Sequence, residues 1–187
     1  MRELIRDHRS GRVMNVVFRD DQYIPTQGVY RSSWRGDRQR AGSGTLLEHS
    51  IHDLDILEWL VGDARTVAAS TANFHGIDGI EDSVAAVLRF GGGHSATVTS
   101  VWHDVLARPS QRRMEVFCER ALVTLEGDAT GPVTWQRDDE QGLLEGDAMI
   151  SWLRERSVDL RSAETQMLSA VAAGDVPPPP SVRDALR

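Results

Sequence analysis

Residues 42–62 read GSGTLLEHSIHDLDILEWLVG, and the reading of this stretch decides how the rest of the chain is arranged. Leu46, Leu47, Ile51, Leu54, Leu57 and Leu60 recur at three- and four-residue spacings, which predicts one amphipathic helix ending at Gly62. On that helix Glu48, His52, Asp55 and Trp59 fall one turn apart and share a face. A carboxylate one turn from an imidazole holds its tautomer and raises its basicity, and histidine titrates close enough to neutrality to move a proton either way. Three readings fit this spacing: a proton shuttle built on His52 and Glu48, a solvated polar helix face, and a metal held by His52 with His49 or Glu48. The zinc-protease pattern H-E-x-x-H is absent, so the expectation is against a metal.

Beyond the helix, residues 65–75 are rich in valine, threonine and alanine and read as a strand. Residues 83–90 and 95–103 alternate, and Gly91, Gly92 and Gly93 between them supply the backbone freedom of a tight connection, which predicts a hairpin. Further strands are expected at 113–119, 121–126 and 132–137. Strands in succession without intervening helices predict an α+β fold: an open, largely antiparallel sheet of mixed type with helices on one face. Upstream, residues 1–8 read as the tail of a helix stopped near Gly11, residues 13–18 favour a strand, and residues 20–40 read as one long loop. Toward the other end, 138–146 reads as a surface loop, and 148–156 and 162–173 as helices, the second with Ser162 as N-cap and Gly174 as C-cap. Pro177 to Pro180 read as a stiff extended strap.

The order of these motifs resembles the second domain of the Gfo/Idh/MocA oxidoreductases. The family pattern is a glycine-rich turn, Asp-x-x-x-His-x-x-Asp, a hydrophobic helix and a glycine. Here it becomes Gly42-Ser43-Gly44, Glu48, His52, Asp55 and Gly62, with glutamate in place of the first aspartate. The resemblance continues through Glu81-Asp82-Ser83, Leu88-Arg89-Phe90-Gly91-Gly92-Gly93, Ser100-Val101-Trp102 and the closing Gly174 to Leu186 segment, so it covers nearly the whole chain. It implies that residues 1–187 are a single C-terminal substrate-binding and oligomerisation domain, beginning mid-element and lacking the N-terminal Rossmann domain. It also implies a parent enzyme that uses NAD or NADP on a sugar, cyclitol or related hydroxyl compound. In such an enzyme His52 takes or gives the hydroxyl proton, Glu48 orients it or binds a substrate hydroxyl, and Asp55 supports them. The open sheet face would pair subunits into a homo-oligomer.

The nearest approach to a dinucleotide fingerprint, Gly42-Ser43-Gly44-Thr45-Leu46-Leu47, lacks the last glycine and follows a polar stretch, so no cofactor is expected to bind this chain alone. In the 20–40 segment Tyr30, Trp34 and Arg35 offer aromatic faces and a guanidinium suited to a polyhydroxylated substrate; the competing reading is a plain surface loop. His103, at the end of a strand, is either a residue of the cleft or a hydrogen-bonded histidine at the sheet edge. Cys118 reads as a small core residue.

Composition narrows the field. A formal charge of −7 disfavours nucleic acid and acidic membranes as partners. All 21 basic residues are arginine, which excludes lysine Schiff-base and lysine-acid chemistry from this chain. The lone cysteine excludes an intrachain disulfide, and no signal peptide or long apolar run is visible, so the expected location is cytoplasmic. A rival function of another class is a non-catalytic binding or scaffolding protein on the same fold. The strand at 83–90 is partly apolar on both faces, which predicts a covered second face under either reading.

Overall fold

The computed structural model describes residues 1–28, 31–127, 131–158 and 163–174. The chain divides into two compact units, Met1–Gly146 and Asp147–Arg187.

The first unit is built on an eight-stranded sheet: β1 (Val13–Tyr23), β2 (Ala64–Ala72), β3 (Ser83–Phe90), β4 (Ser95–His103), β5 (Gln111–Cys118), β6 (Leu122–Glu126), β7 (Val133–Gln136) and β8 (Gln141–Leu144). Their order across the sheet is β2-β3-β4-β1-β5-β6-β7-β8. Among the described residues only the β1–β4 pairing is parallel, and every other pair is antiparallel. The mixed, largely antiparallel α+β sheet expected from the sequence is the fold observed. The three glycines close the β3–β4 hairpin, where Gly93 takes a positive φ of 88° and donates its N–H to the Phe90 carbonyl.

Alternation places Val16, Phe18 and Asp20 of β1 on one face, opposite Ala96, Val98 and Ser100 of β4 and Val116, Met114 and Arg112 of β5. That face is the buried one, joined by Val84, Leu88 and Phe90 of β3 and Val123 of β6. At the end of β4, Trp102 closes with Ile24 and Ile80 into a further buried cluster. The opposite face leaves Val17, Val87 and Phe117 exposed by 38, 46 and 37%.

Three segments depart from the sequence reading. The expected long loop is shorter, because β1 runs on through Asp20 and Asp21 to Tyr23; these aspartates meet arginine partners on β5 and beyond it, which makes them tolerable in a central strand. The remainder holds a 3₁₀ turn at Ser33–Gly36 and the single-turn helix α2 (Arg38–Ala41), N-capped by the Asp37 side chain. The expected surface loop at 138–146 contains β8, which pairs with β7 because Gly142 lets the Trp135 ring lie across it; a Cβ there would come within 2.1 Å of the indole. At the N-terminus the helix is α1 (Arg2–Arg6), and Gly11, at φ 74°, ends the 3₁₀ turn that follows it.

The third departure concerns the deciding stretch itself. Two helices stand where one was expected, α3 (Thr45–Glu48) and α4 (Ile51–Val61), parted at His49 and Ser50. Leu47 and Ile51, expected on the apolar face, are exposed, and the buried side chains are Thr45, Ser50, Asp53, Leu57 and Leu60.

The second unit contains α5 (Gly146–Glu155), apart from its first residue, and α6 (Ala163–Ala173). Arg156 lies over the Trp152 ring at 3.7 Å, and Gly174 ends α6 with a positive φ of 78°. Ser162 and the proline run lie outside the described residues.

Candidate functional site

The glycine turn before α3 has a local cause. The Glu81 carboxylate accepts from Gly44 N at 2.7 Å, Leu46 N at 3.1 Å and Ser43 Oγ at 2.5 Å, while Thr45 N donates to the Glu81 carbonyl. The first amides of α3 are thus satisfied by a carboxylate of the same chain, and these contacts hold Glu81 below the usual carboxylate range even though burial opposes its charge. A Cβ at Gly44 would fall 1.8 Å from the Glu81 carbonyl oxygen, so only glycine fits.

The break that follows is pinned to the sheet. Ser100 Oγ lies 2.6 Å from both Thr45 Oγ1 and Ser50 Oγ, and all three hydroxyls are buried. His49 Nε2 lies 2.7 Å from Asp20 Oδ2. On the first turn of α4, Asp53, only 1% exposed, has its Oδ1 2.7 Å from Arg112 Nε, an ion pair whose angles fall outside those of a hydrogen bond. Arg112 Nη2 lies 3.9 Å from Asp20 Oδ2.

The charges in this group are interdependent. Burial disfavours ionising Asp20, but the hydrogen bond and charge of His49 outweigh it and leave its carboxyl below the ordinary range. For His49, burial would lower the pKa; the bond and charge of Asp20 raise it. Asp53 is pushed up to about 7, first by burial and then by the charge of Asp20, with Arg112 and His49 opposing.

The residues singled out from sequence are placed as follows. His52 is exposed on α4 and has no hydrogen-bond partner among the described residues. Glu48, at the end of α3, is half-buried and accepts from Arg35 Nε at 2.6 Å, and the Arg35 guanidinium stands 5.0 Å from the centre of the Trp34 ring. Trp34, Arg35 and Glu48 are therefore brought together, but the bond expected between Glu48 and His52 is replaced by the one from Arg35. Asp55 and Trp59 share the exposed side of α4 with His52, and Arg2 lies over Trp59 at 4.2 Å. His103 is elsewhere: next to Trp102 in the alternation, it points to the opposite sheet face, with Nε2 3.4 Å from Asp21 and Nδ1 accepting from Val105 N. Tyr30 lies outside the described residues. Cys118 is buried in the core, where burial raises its thiol pKa.

Sequence reasoning passed over Asp20, Asp53 and Arg112 and set His49 aside. Two signals were present. Asp53 precedes Leu57 and Leu60 at helical spacing, and Asp20 continues the alternation of Val16 and Phe18. A second group also went unnoticed: Asp82 accepts from the N–H groups of Phe74 and His75 and lies 2.6 Å from His75 Nδ1, whose Nε2 is 3.1 Å from Asp104. It ties the turn after β2 to the end of β4.

Comparison with known proteins agrees with this architecture. Residues 1–124 match the GFO/IDH/MocA C-terminal domain. A 1,5-anhydro-D-fructose reductase from Ensifer adhaerens is 33% identical over 106 residues, which is 56% of this chain and 30% of that protein. An oxidoreductase domain protein from Kribbella flavida superposes with a TM-score of 0.78 at 19% identity, over 99% of this chain and 57% of its own. An inositol dehydrogenase homolog from Azotobacter vinelandii, solved with NAD+, gives 0.65 at 21% identity, over 77% of this chain and 39% of its own. The chain thus spans less than two thirds of each of these relatives. With two thirds of its length matching that one domain and its sheet superposing on these folds, the chain belongs to the Gfo/Idh/MocA oxidoreductase family, as a C-terminal domain.

Proposed function

We propose that this chain is the substrate-facing domain of an NAD- or NADP-dependent oxidoreductase acting on a sugar, cyclitol or related polyhydroxy compound. The carrying observation is His52: an exposed imidazole on the first turn of a helix whose other side is fixed to the sheet, close in sequence to a carboxylate and with an arginine and an indole beside that carboxylate. The relatives' names, an anhydrofructose reductase and an inositol dehydrogenase homolog solved with NAD+, support the substrate and cofactor class.

A nicotinamide accepts hydride from carbon when bound. The residues present do not fit a dinucleotide's pyrophosphate, because the amides at the start of α3 already serve Glu81. The part left to this chain is the proton and the orientation of substrate. As the C–H bond gives up its hydride, His52 Nε2 or Nδ1 takes the hydroxyl proton, and it returns that proton in the reverse direction. Glu48, fixed by its bond from Arg35, offers its carboxylate as an acceptor for a substrate hydroxyl, and the Trp34 ring offers an apolar face to the sugar's C–H surface.

The exposed outer sheet face supports self-association. Across it Glu115, Val17, Thr97, Val87 and Ala68 form one cross-strand row through five strands, with a single charged member. One observation favours the non-catalytic alternative: Glu48 is engaged by Arg35 and does not orient His52. Turnover of the dinucleotide-loaded parent enzyme carrying His52→Asn separates the two readings. A fall of about 100-fold or more in kcat supports proton transfer, and unchanged kcat overturns it.

A further inference from the structure

The two halves of the 45–61 segment are held down by different forces. From α4's second turn onward the buried side chains are Leu57 and Leu60, whose burial is favourable in any orientation that hides them. Before that, every buried side chain is polar: Thr45, Ser50 and Asp53. That end of the segment is fixed by hydrogen bonds and ion pairs, which depend on direction as well as distance. Directional fixation therefore coincides with the residues, Glu48 and His52, whose aim matters under the functional reading above.

The receiving surface is equally specific. Asp20 on β1 pairs across the sheet with Ser100 on β4 and with Arg112 on β5, so the three form one row over the central strands. Ser100 takes Thr45 and Ser50, Arg112 takes Asp53, and Asp20 takes His49. His49 sits at the junction itself, with a backbone of φ −118° and ψ −61° between the two helices. Its neighbour Glu48 turns to Arg35, and His52 turns to solvent. Without a polar side chain at position 49 the flanking ties would remain, Thr45 and Ser50 to Ser100, a longer bond from Ser50 to Asp20 at 3.4 Å, and Asp53 to Arg112, but the residue between the two helices would lose its own 2.7 Å tie to the sheet.

We infer that His49, through its 2.7 Å contact with Asp20, is a positioning residue that fixes the junction between α3 and α4 and so sets the directions in which Glu48 and His52 project. The inference rests on the reading of Glu48 and His52 as the substrate-facing pair, but its test does not use turnover. Amide hydrogen exchange is followed by NMR on the 187-residue chain and on His49→Phe and His49→Gln. Glutamine retains an N–H donor able to reach Asp20, and phenylalanine does not.

In His49→Phe the amides of residues 49–54 are expected to exchange at least about ten-fold faster, relative to those of Val98 and Met114 in the sheet. In His49→Gln that ratio returns to within about three-fold of the parent's. Equal acceleration of junction and sheet amides, or none, overturns the inference, because a merely stabilising residue moves both together. A glutamine variant as fast as the phenylalanine one overturns it as well. If His49→Phe does not fold, the glutamine variant decides alone: a junction-to-sheet ratio within about three-fold of the parent's supports the inference, and any larger rise overturns it. A failure of proton transfer at His52 leaves these exchange rates unchanged, so the two readings fail separately.

Discussion

Arg35 Nε lies 2.6 Å from Glu48 Oε1, so the carboxylate that heads the site motif is held by the segment upstream of it and not by the histidine one turn on. This changes what each residue is expected to do. Arg35→Met is expected to raise KM for a polyhydroxy substrate in the dinucleotide-loaded parent enzyme on the order of ten-fold, with a smaller change in kcat, as for lost binding shared by ground and transition states. Steady-state kinetics over a range of substrate concentrations checks it, and an unchanged KM counts against a substrate role for the pair.

The two histidines are expected to separate activity from stability. His52→Asn should lower kcat by about 100- to 10000-fold with little loss of stability, since the ring is exposed. His49→Asn should cost stability on the order of 2 kcal/mol, below the roughly 3–5 of a fully buried pair because His49 keeps some contact with water, and should lower kcat far less than His52→Asn, since it acts only through the aim of Glu48 and His52. Urea unfolding of the chain and kinetics of the parent enzyme, run on the same two variants, give the comparison.

The Asp53 carboxyl carries a pH signature. Its pKa rises from about 3.9 in an unfolded chain to about 7 in the fold, so the folded state holds the proton more tightly. Its contribution to stability is then fully present below about pH 4 and is lost as pH rises through about 7. Asp53→Asn, which cannot ionise, is expected to be better tolerated at pH 8 than at pH 5. Denaturant midpoints of variant and parent at the two pH values test this, and an equal difference at both shows that Asp53 does not titrate in that window.

Self-association through the open sheet face predicts that Val17→Lys or Val87→Lys shifts the chain toward monomer with the fold retained, because like charges would face each other across a shared surface. Sedimentation at tens of micromolar reads the change. A parent chain that is already monomeric there removes the expectation.

Dinucleotide binding by this chain is expected to be negligible, since Glu81 occupies the amides at the glycine turn. Calorimetric titration with NAD(H) and NADP(H) checks it. Micromolar affinity for either would contradict the account of that turn.

The strands were legible because each has its own local signature. Val16 and Phe18, the alternating β3 and β4, and the three glycines between them all announce themselves within a few residues. The course of β1 through Asp20 and Asp21 was not legible, because the arginines that make those charges tolerable, Arg112 and Arg108, lie about ninety positions away. The same limit hid the helix break. Spacing alone favoured one helix from Leu46 to Leu60, and what interrupts it is Ser50 reaching Ser100 and His49 reaching Asp20. Trp34, Arg35 and Glu48 were each identifiable as candidates, but their partnership depends on how the 31–41 segment returns over α3.

The single parallel pairing, β1 with β4, has a consequence for how the molecule assembles. Parallel neighbours need a long crossover, and here it consists of residues 24–94, which include α2, α3, α4 and the β2–β3 pair. Asp20 and Ser100, the floor on which the α3–α4 junction rests, become neighbours only when that crossover has closed. Local hairpins such as β3–β4 and β6–β7 can form early, but the junction has no floor until β1 has met β4 and β5, strands about eighty to a hundred positions further along the chain. The site should therefore be among the last parts of the chain to order during folding, and a substitution that slows β1–β4 docking should delay it without touching any residue that faces substrate.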